Sequence, residues 1–237
     1  MKFKAILFDV DGTLANTEQW GHLPACNEAF VQMGLPLVWD WAYFSQELFN
    51  IQGNANRLRY ELKQKFHLPK VEIESIIKEF EVLKKELYIT KYLPSLKLRE
   101  GVLEFISYVK DASLLMAIVS TSYESQIRAL LSNQLADYYS SFYPILGKES
   151  GQKTGNHGVL YEKCLTQLKL SPQECLVIED SEIGSKAAIK AGIPTLITYN
   201  DYTEKENFEG AALVVASLKQ LNFEQVVNGN FEKSIID

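Results

Sequence analysis

The stretch FKAILFDVDGT, residues 3–13, decides the fold. The run from Lys2 to Phe8 is short and, apart from two lysines, apolar, which is typical of a β-strand covered on both faces. Two aspartates, Asp9 and Asp11, follow directly where this strand ends. Like charges repel, and a buried carboxylate without a partner is costly. The pair therefore indicates a compensating group, most simply a cation.

Four more apolar runs of this kind lie further along the chain, at Leu114–Ser120, Glu174–Glu179, Pro194–Tyr199 and Ala211–Val215. Apolar residues at helical spacing separate them: Ile127, Leu130 and Leu131; Leu160, Cys164, Leu165 and Leu168; and Ala187, Ala188 and Ala191 before Gly192, a natural helix stop. Alternation of strands and helices predicts an α/β protein with a Rossmann-like parallel sheet wrapped on both sides.

The segment between the first two runs contains helical patterns only. The clearest is VEIESIIKEFEVLKKELY, residues 71–88, with apolar residues at helical spacing: Ile73, Ile76, Ile77, Phe80, Leu83 and Leu87. We expect an all-helical cap domain at residues 15–94, inserted into a core formed by residues 1–14 and 95–237. The hinges are expected near Ala15–Glu18 and Leu93–Arg99.

The composition is that of an ordinary globular protein of 237 residues, with 46% hydrophobic and 23% charged residues. A net charge of −6 argues against a broad surface for nucleic acid or anionic membrane. Three cysteines without CxxC spacing suit buried thiols in a reducing compartment. We expect a cytoplasmic protein, a monomer or weak homo-oligomer; a removed transit peptide is left open.

Polar residues follow the predicted strands at their carboxyl ends, where ligands bind in open α/β sheets. They are Asp9, Asp11, Gly12 and Thr13; Ser120, Thr121 and Ser122; and Glu179, Asp180 and Ser181. A polar loop with two lysines, GKESGQKTGNHG at 147–158, lies between the second and third groups. Crowded carboxylates suit Mg²⁺, which shares its ligand sphere with a substrate phosphate. Hydroxyls, helix N–H groups and a lysine suit the phosphate itself. The set predicts phosphoryl transfer with an aspartate as nucleophile.

Three of these segments resemble motifs of a known family. DVDGT, the STS after the second strand, and IEDSEIGSKAAIKAG at 178–192 are similar to motifs one, two and four of the haloacid dehalogenase-like (HAD) hydrolases. They occur in the right order across the whole chain, with the helical cap after motif one. The resemblance implies the HAD fold, Mg²⁺ as cofactor and a small phosphorylated metabolite as substrate.

The resemblance also implies a role for each matching residue. Asp9 would attack phosphorus and become an aspartyl-phosphate, and Asp11 would act as general acid and then general base. Mg²⁺ would be held by Asp9, the backbone carbonyl of Asp11, Asp180, and Glu179 directly or through water. Ser120 and the Thr121 backbone would bind the phosphate. Asp11 also argues against dehalogenation, because family members that act on haloacids lack it.

Motif three departs from the family pattern, in which a lysine is followed by Pro-x-Pro-Asp. The loop here lacks those prolines. Counting back from the helix at Val159–Leu168 favours Lys153 as the catalytic lysine, with Lys148 as the alternative. His157 in the same loop is interpreted as a solvated residue, with a phosphate contact as the other possibility.

The cap is expected to select the substrate. Gly53 and Arg57 resemble the Gly-x-x-x-Arg stretch of one HAD subgroup, which implies that Arg57 binds the distal phosphate of the substrate; the alternative is an exposed helix arginine. Glu18 and His22 match a family segment that faces the active site at the hinge. Together with the tail at 199–218, these features resemble the CbbY-type sugar bisphosphate phosphatases, which act on xylulose-1,5-bisphosphate, and the related β-phosphoglucomutase-like group.

Simpler interpretations exist for several of these residues. Asp9 and Asp11 could form a polar turn at a strand end. Glu179 and Asp180 could favour a helix N-terminus. Ser122 and Ser181 are expected to cap the helices that follow them.

Three functions remain in competition. The leading one is a phosphatase acting on a sugar phosphate or bisphosphate. The second is a sugar phosphomutase, which returns the phosphoryl group to substrate. The third is a non-catalytic phospho-acceptor module, disfavoured because such modules are shorter and lack DxDGT and a cap.

Overall fold

The structure, a computed structural model, describes residues 2–48, 50–154 and 159–236. The chain divides into two compact units, Met1–Asn16 with Lys97–Asp237, and Thr17–Leu96. Each division falls two residues beyond the expected one, after residue 16 instead of 14 and after residue 96 instead of 94.

The described residues form six strands and nine α-helices. The strands are β1 (Ala5–Phe8), β2 (Leu115–Val119), β3 (Phe142–Leu146), β4 (Cys175–Glu179), β5 (Thr195–Thr198) and β6 (Leu213–Val215). The helices are α1 (Leu23–Gln32), α2 (Trp41–Gln46), α3 (Asn54–Lys65), α4 (Lys70–Leu87), α5 (Val102–Asp111), α6 (Glu124–Gln134), α7 (Val159–Leu168), α8 (Glu182–Lys190) and α9 (Phe223–Val227). Helices α1–α4 belong to the unit Thr17–Leu96, and the six strands and helices α5–α9 belong to the first unit.

All six strands are parallel, in the order β3-β2-β1-β4-β5-β6, which confirms the predicted Rossmann-like sheet. Strand β1 lies between β2 and β4, and every side chain of β1 and β4 is buried, as expected for strands covered on both faces. Phe8, at the end of β1, is level with Ile118 in β2 and Ile178 in β4. The segments after these three strands therefore start at one edge of the sheet.

Strand β3 was not predicted from the sequence. Its five residues read FYPIL, and a proline inside such a run argues against a strand because it cannot donate a hydrogen bond. The structure places β3 at the edge of the sheet, beside β2 alone. An edge strand tolerates Pro144 because only one of its two sides is paired.

The helical faces expected in the first unit are confirmed. Ile127, Leu130 and Leu131 are buried on α6, Leu160 and Cys164 on α7, and Ala187 and Ala188 on α8. Gly192 follows α8 with φ of 78°, a left-handed conformation that ends the helix at little cost for glycine. All three cysteines are free and buried, as expected.

Every regular element among the described residues of the unit Thr17–Leu96 is helical, and turns and loops connect these helices. On α4, Ile73, Ile77, Phe80 and Leu87 are buried, which confirms the predicted apolar face. Two π-helical turns, Glu18–His22 and Tyr88–Tyr92, adjoin α1 and α4. Across the described part of the chain, every helix is too short or too polar to span a membrane.

Candidate active site

The turn after β1 brings two loops into contact. Asp9 continues the sheet ladder, because its N–H donates to the Ile178 carbonyl at 3.0 Å. Gly12 has φ of 84°, and a Cβ there would lie 2.0 Å from Oδ2 of Asp180. Only glycine combines this backbone conformation with so close an approach. Asp180 follows β4, so the glycine allows the ends of β1 and β4 to meet.

Three carboxylates form a buried cluster at this edge. Asp9, Glu179 and Asp180 each place one oxygen within 4.8 Å of the others. The hydroxyl of Thr13 lies 3.3 Å from Oδ2 of Asp9 and 3.3 Å from Oδ1 of Asp180. Burial and the neighbouring carboxylates raise the pKa of Asp180 well above its ordinary value, and burial raises the pKa of Asp9 to about 7 against the pull of Lys153.

These residues fit a magnesium ion. A cluster that disfavours its own ionised form gains most from a cation, and carboxylate oxygens are the hard ligands that Mg²⁺ prefers. Lys153 pairs with two of the three acidic groups, Asp9 and Glu179. The donor set therefore matches the cofactor implied by the family resemblance.

Lys153 is the lysine that reaches the cluster. Its Nζ donates to Oδ1 of Asp9 and to Oε1 of Glu179, both at 2.5 Å, and the residue is 3% exposed. Burial alone would lower the pKa of the ammonium, but Asp9 and Glu179 raise it well above its ordinary value. Lys148 is exposed and donates to the hydroxyl of Tyr123 at 3.0 Å. His157 lies outside the described residues.

Glu179 is fixed on both of its oxygens. Oε1 accepts the Lys153 bond, while Oε2 accepts from the N–H groups of Asp180 at 2.9 Å and Ser181 at 3.1 Å, and from the Ser181 hydroxyl at 3.1 Å. Ser181 also caps α8 by accepting from the Gly184 N–H, as predicted. A Cβ on Gly184 would lie 1.9 Å from the Glu179 carboxylate, so the helix start packs directly on it.

The expectation that Ser122 caps a helix is wrong. Helix α6 begins at Glu124, and Tyr123 occupies the N-cap position without a side-chain cap bond. The Ser122 hydroxyl donates instead to Oδ2 of Asp11. A hydrogen bond to a carboxylate is charge-assisted and stronger than a neutral one. Ser122 thereby fixes the Asp11 side chain to the segment that follows β2.

The two predicted phosphate-binding residues, Ser120 and Thr121, lie between the end of β2 and Ser122. The Ser120 side chain is fully buried, and its Oγ accepts the Ser122 N–H at 3.2 Å. Thr121 is exposed. Their contact with a phosphate stays a prediction.

The four predicted substrate residues of the cap all lie in the unit Thr17–Leu96. The interpretation of Arg57 as an exposed residue is wrong: it is 5% exposed, and Nε donates to the carbonyls of Leu48 and Ile51, both at 3.0 Å. Its Nη1 donates to Glu18 Oε2 at 3.2 Å. Gly53, with φ of 81°, precedes α3 as its N-cap residue.

His22 is buried in the turn Glu18–His22. Its Nδ1 lies 2.8 Å from the ammonium of Lys84, and its ring stacks on Tyr88 at 4.2 Å between centroids. A role in substrate binding for Glu18, His22, Gly53 and Arg57 stays a prediction.

Sequence reasoning missed several polar residues around the carboxylates. Thr13 and Ser122 were noticed as part of their motifs but not as partners of Asp9, Asp180 and Asp11. Arg99 and Asn200 were not singled out. Asn200 follows the fourth predicted strand, so the rule that placed the other site residues at strand ends could have found it. Arg99 follows no strand and carries no such signal.

Comparison with known proteins agrees with this geometry. The family model of the haloacid dehalogenase-like hydrolases matches residues 6–198. Protein CbbY, plasmid, of Cupriavidus necator is 33% identical over 219 residues, which cover 91% of this chain and 85% of the relative. The structure is similar to that of CbbY from Rhodobacter sphaeroides in complex with phosphate, with a TM-score of 0.79 and 27% identity over 92% of this chain and 96% of that chain.

A variant of the Rhodobacter sphaeroides protein, in complex with xylulose-(1,5)bisphosphate, gives the same TM-score of 0.79 at 27% identity, over 93% of this chain and 96% of that chain. The family match runs from β1 to the end of β5 and so includes the sheet edge with Asp9, Lys153 and Asp180. The chain belongs to the haloacid dehalogenase-like hydrolase family.

Proposed function

We propose that this protein is a Mg²⁺-dependent phosphatase that hydrolyses a sugar phosphate or bisphosphate through an aspartyl-phosphate intermediate. The observation that carries the proposal is the buried cluster in which Asp9 lies beside two further carboxylates and bonds to Lys153 at 2.5 Å. A polar strand-end turn does not require a buried lysine between two carboxylates. A phosphoryl-transfer site does, because positioning and charge neutralisation are most of its catalysis.

The chain's own residues account for both halves of the reaction. Asp9 attacks phosphorus, forming an oxygen–phosphorus bond while the bond to the leaving oxygen breaks, and Asp11 gives that oxygen its proton. Asp11 then takes a proton from water, the water oxygen attacks the aspartyl-phosphate, and Asp9 is regenerated as phosphate leaves. Ser122 keeps Asp11 oriented, and Lys153 offsets the negative charge around Asp9.

The magnesium ion would be held by Asp9, Asp180, the backbone carbonyl of Asp11, and Glu179 directly or through water. When bound, it neutralises charge on the transferring phosphoryl group. Ser120 and the Thr121 backbone would bind the phosphate oxygens. The CbbY relatives, one of them in complex with xylulose-(1,5)bisphosphate, support a sugar bisphosphate as the substrate class.

A phosphate-release screen tests the proposal. The protein is offered sugar phosphates, sugar bisphosphates, nucleotides and p-nitrophenyl phosphate, with Mg²⁺ or with EDTA. We expect Mg²⁺-dependent release with sugar bisphosphates preferred. If no phosphate is released from any of these compounds, the proposed phosphatase activity is wrong. If nucleotides and sugar phosphates are hydrolysed equally well, the proposed preference for sugar bisphosphates is wrong.

One arm of the same screen separates phosphatase from phosphomutase. The protein receives a hexose 1-phosphate with a trace of the 1,6-bisphosphate. We expect free phosphate. Conversion to the isomer without free phosphate would show that the aspartyl-phosphate is returned to substrate.

Arg57→Ala is expected to reduce the preference for bisphosphates. A guanidinium binds phosphate oxygens through paired N–H groups, and a hydrogen bond to a charged group contributes about 1.5–3 kcal/mol. The ratio of kcat/KM for a bisphosphate to that for its monophosphate should fall by about tenfold or more. Arg59→Ala is the matched control, because Arg59 lies on the same helix, is more exposed and pairs with Glu74 at 2.7 Å.

The ratio of the two kcat/KM values distinguishes a role of Arg57 in binding the second phosphate from a role in stabilising the helical unit. If Arg57 only stabilises its own helix and Glu18, both substrates lose activity equally and the ratio stays constant. An unchanged ratio in folded Arg57→Ala therefore contradicts the predicted role. Arg59→Ala should leave the ratio and both rates unchanged.

A further inference from the structure

We infer that Asn200 is a positioning residue that orients Asp180 for the cation, an inference that rests on the proposed magnesium-dependent function. Asn200 follows β5 and is buried. Its Nδ2 donates to Oδ2 of Asp180 at 2.8 Å and to the carbonyl of Gly12 at 3.0 Å. A carboxylate and a backbone carbonyl can only accept, so the amide nitrogen must be the atom that faces them.

The Asn200 bond determines which way the Asp180 carboxylate turns. Oδ2 is engaged by Asn200, while Oδ1 lies 3.3 Å from the Thr13 hydroxyl, which also contacts Asp9. Asp180 therefore presents Oδ1 on the side of the carboxylate cluster. A carboxylate held in this way does not have to give up rotational freedom when a cation binds.

Arg99 binds the backbone of the two residues that precede Asn200. Its Nη1 donates to the carbonyls of Gly12 and Thr198, both at 2.5 Å. Its Nη2 donates to the carbonyls of Tyr199, at 2.6 Å, and Ala216, at 3.1 Å. Thr198 and Tyr199 directly precede Asn200, so the guanidinium fixes that segment to the turn after β1.

Two residues therefore have different tasks: Asn200 orients the Asp180 carboxylate, and Arg99 joins the loops after β1 and β5. If Asn200 is shortened to alanine, the Gly12 carbonyl keeps its bond to Arg99 and the loops stay joined. Oδ2 of Asp180, in contrast, loses the Asn200 bond. The expected defect is therefore in cation binding, with the fold retained. Partners of metal ligands usually change metal affinity or activity by about 10–100-fold when removed.

The test is a calorimetric Mg²⁺ titration of metal-free protein, for the wild type, Asn200→Ala and Asn27→Ala. Asn27 is the matched control: it loses the same atoms, it lies in the other unit, and the side-chain bonds described for it go to the backbone of Trp39. We expect Mg²⁺ to bind Asn200→Ala about 10–100-fold more weakly than the wild type, and Asn27→Ala as tightly as the wild type.

The metal dependence of turnover gives the second readout. Raising Mg²⁺ should return kcat of Asn200→Ala towards that of the wild type, which a purely structural defect would not allow. Unchanged Mg²⁺ affinity in Asn200→Ala, or a loss of kcat that Mg²⁺ does not recover, overturns the inference. A wild type that binds no Mg²⁺ overturns the proposed cofactor as well, so the two failures are distinguishable. If Asn200→Ala does not fold, Asn200→Ser is measured by the same criteria.

Discussion

We expect Asp9→Asn to abolish phosphate release while the protein stays folded. Loss of a nucleophile costs on the order of 10³-fold or more in kcat, and the proposed covalent intermediate forms on Asp9. An amide has nearly the same shape as the carboxylate: its oxygen can accept from Lys153, and its NH2 group can donate to the Thr13 hydroxyl, which accepts as well as donates. Phosphate release and intact-mass detection of the aspartyl-phosphate are the two measurements.

The same substitution has an unusual expected effect on stability. Burial raises the pKa of Asp9 to about 7, far above its ordinary 3.8. A raised carboxyl pKa means that the ionised form is disfavoured in the folded protein, so the group lowers stability progressively as the pH rises from 3.8 to about 7, and the full loss persists at higher pH. A neutral amide does not ionise, so this loss of stability does not occur in Asp9→Asn. In EDTA, Asp9→Asn should melt no lower than the wild type.

Asp40→Asn provides the control for Asp9→Asn. Asp40 caps α2 by accepting from the Tyr43 N–H at 2.7 Å, and its amide variant should retain full activity. Undiminished turnover in Asp9→Asn would show that Asp9 is not the nucleophile. Lost activity together with a large drop in melting temperature would attribute the defect to folding instead.

Lys153→Met is expected to damage both activity and stability. Breaking a buried ion pair by removing one partner typically costs about 3–5 kcal/mol of unfolding free energy. We expect the lower end, about 3 kcal/mol, because Asp9 can take up a proton once the ammonium is gone. The value of kcat should fall at least about 10²-fold, since the charge beside the nucleophile is lost.

Lys148→Met separates the two lysines that the sequence left open. Lys148 is exposed, and surface substitutions of this kind usually change stability by less than about 0.5 kcal/mol. Urea unfolding in EDTA and phosphate release with Mg²⁺ are measured for both variants. The assignment fails if Lys148→Met loses activity and Lys153→Met retains it.

The sequence predicted those parts of the site that depend on local pattern. An apolar run that ends in polar residues marks a strand end, and parallel strands bring such ends together, so Asp9, Ser120 and Asp180 could be placed at one edge. Strand β3 was missed because its proline signals a break, and only the position at the sheet edge permits it. Ser122 was misassigned because a serine before a helix usually caps it, and no local pattern shows that α6 begins only at Glu124, with Tyr123 at the N-cap position.

Contacts between loops that are distant in sequence could not be predicted. The Arg99 guanidinium meets the Gly12 carbonyl across 87 positions, and Lys153 meets Asp9 across 144. The loop around Lys153 lacks the family's prolines, so spacing alone left two candidates. Which lysine is buried between carboxylates depends on how that loop folds, which is a tertiary property.

The central position of β1 links the chemistry of the protein to its global stability. Asp9 extends a strand with a neighbour on each side, and its own N–H is part of the ladder to β4. A backbone in such a place exchanges its amide hydrogens only when most of the sheet opens, whereas loops open locally. The backbone of Asp9, the proposed nucleophile, is therefore expected to open only when most of the sheet opens. A destabilising substitution elsewhere should lower the number of active molecules while each surviving molecule turns over at the native rate.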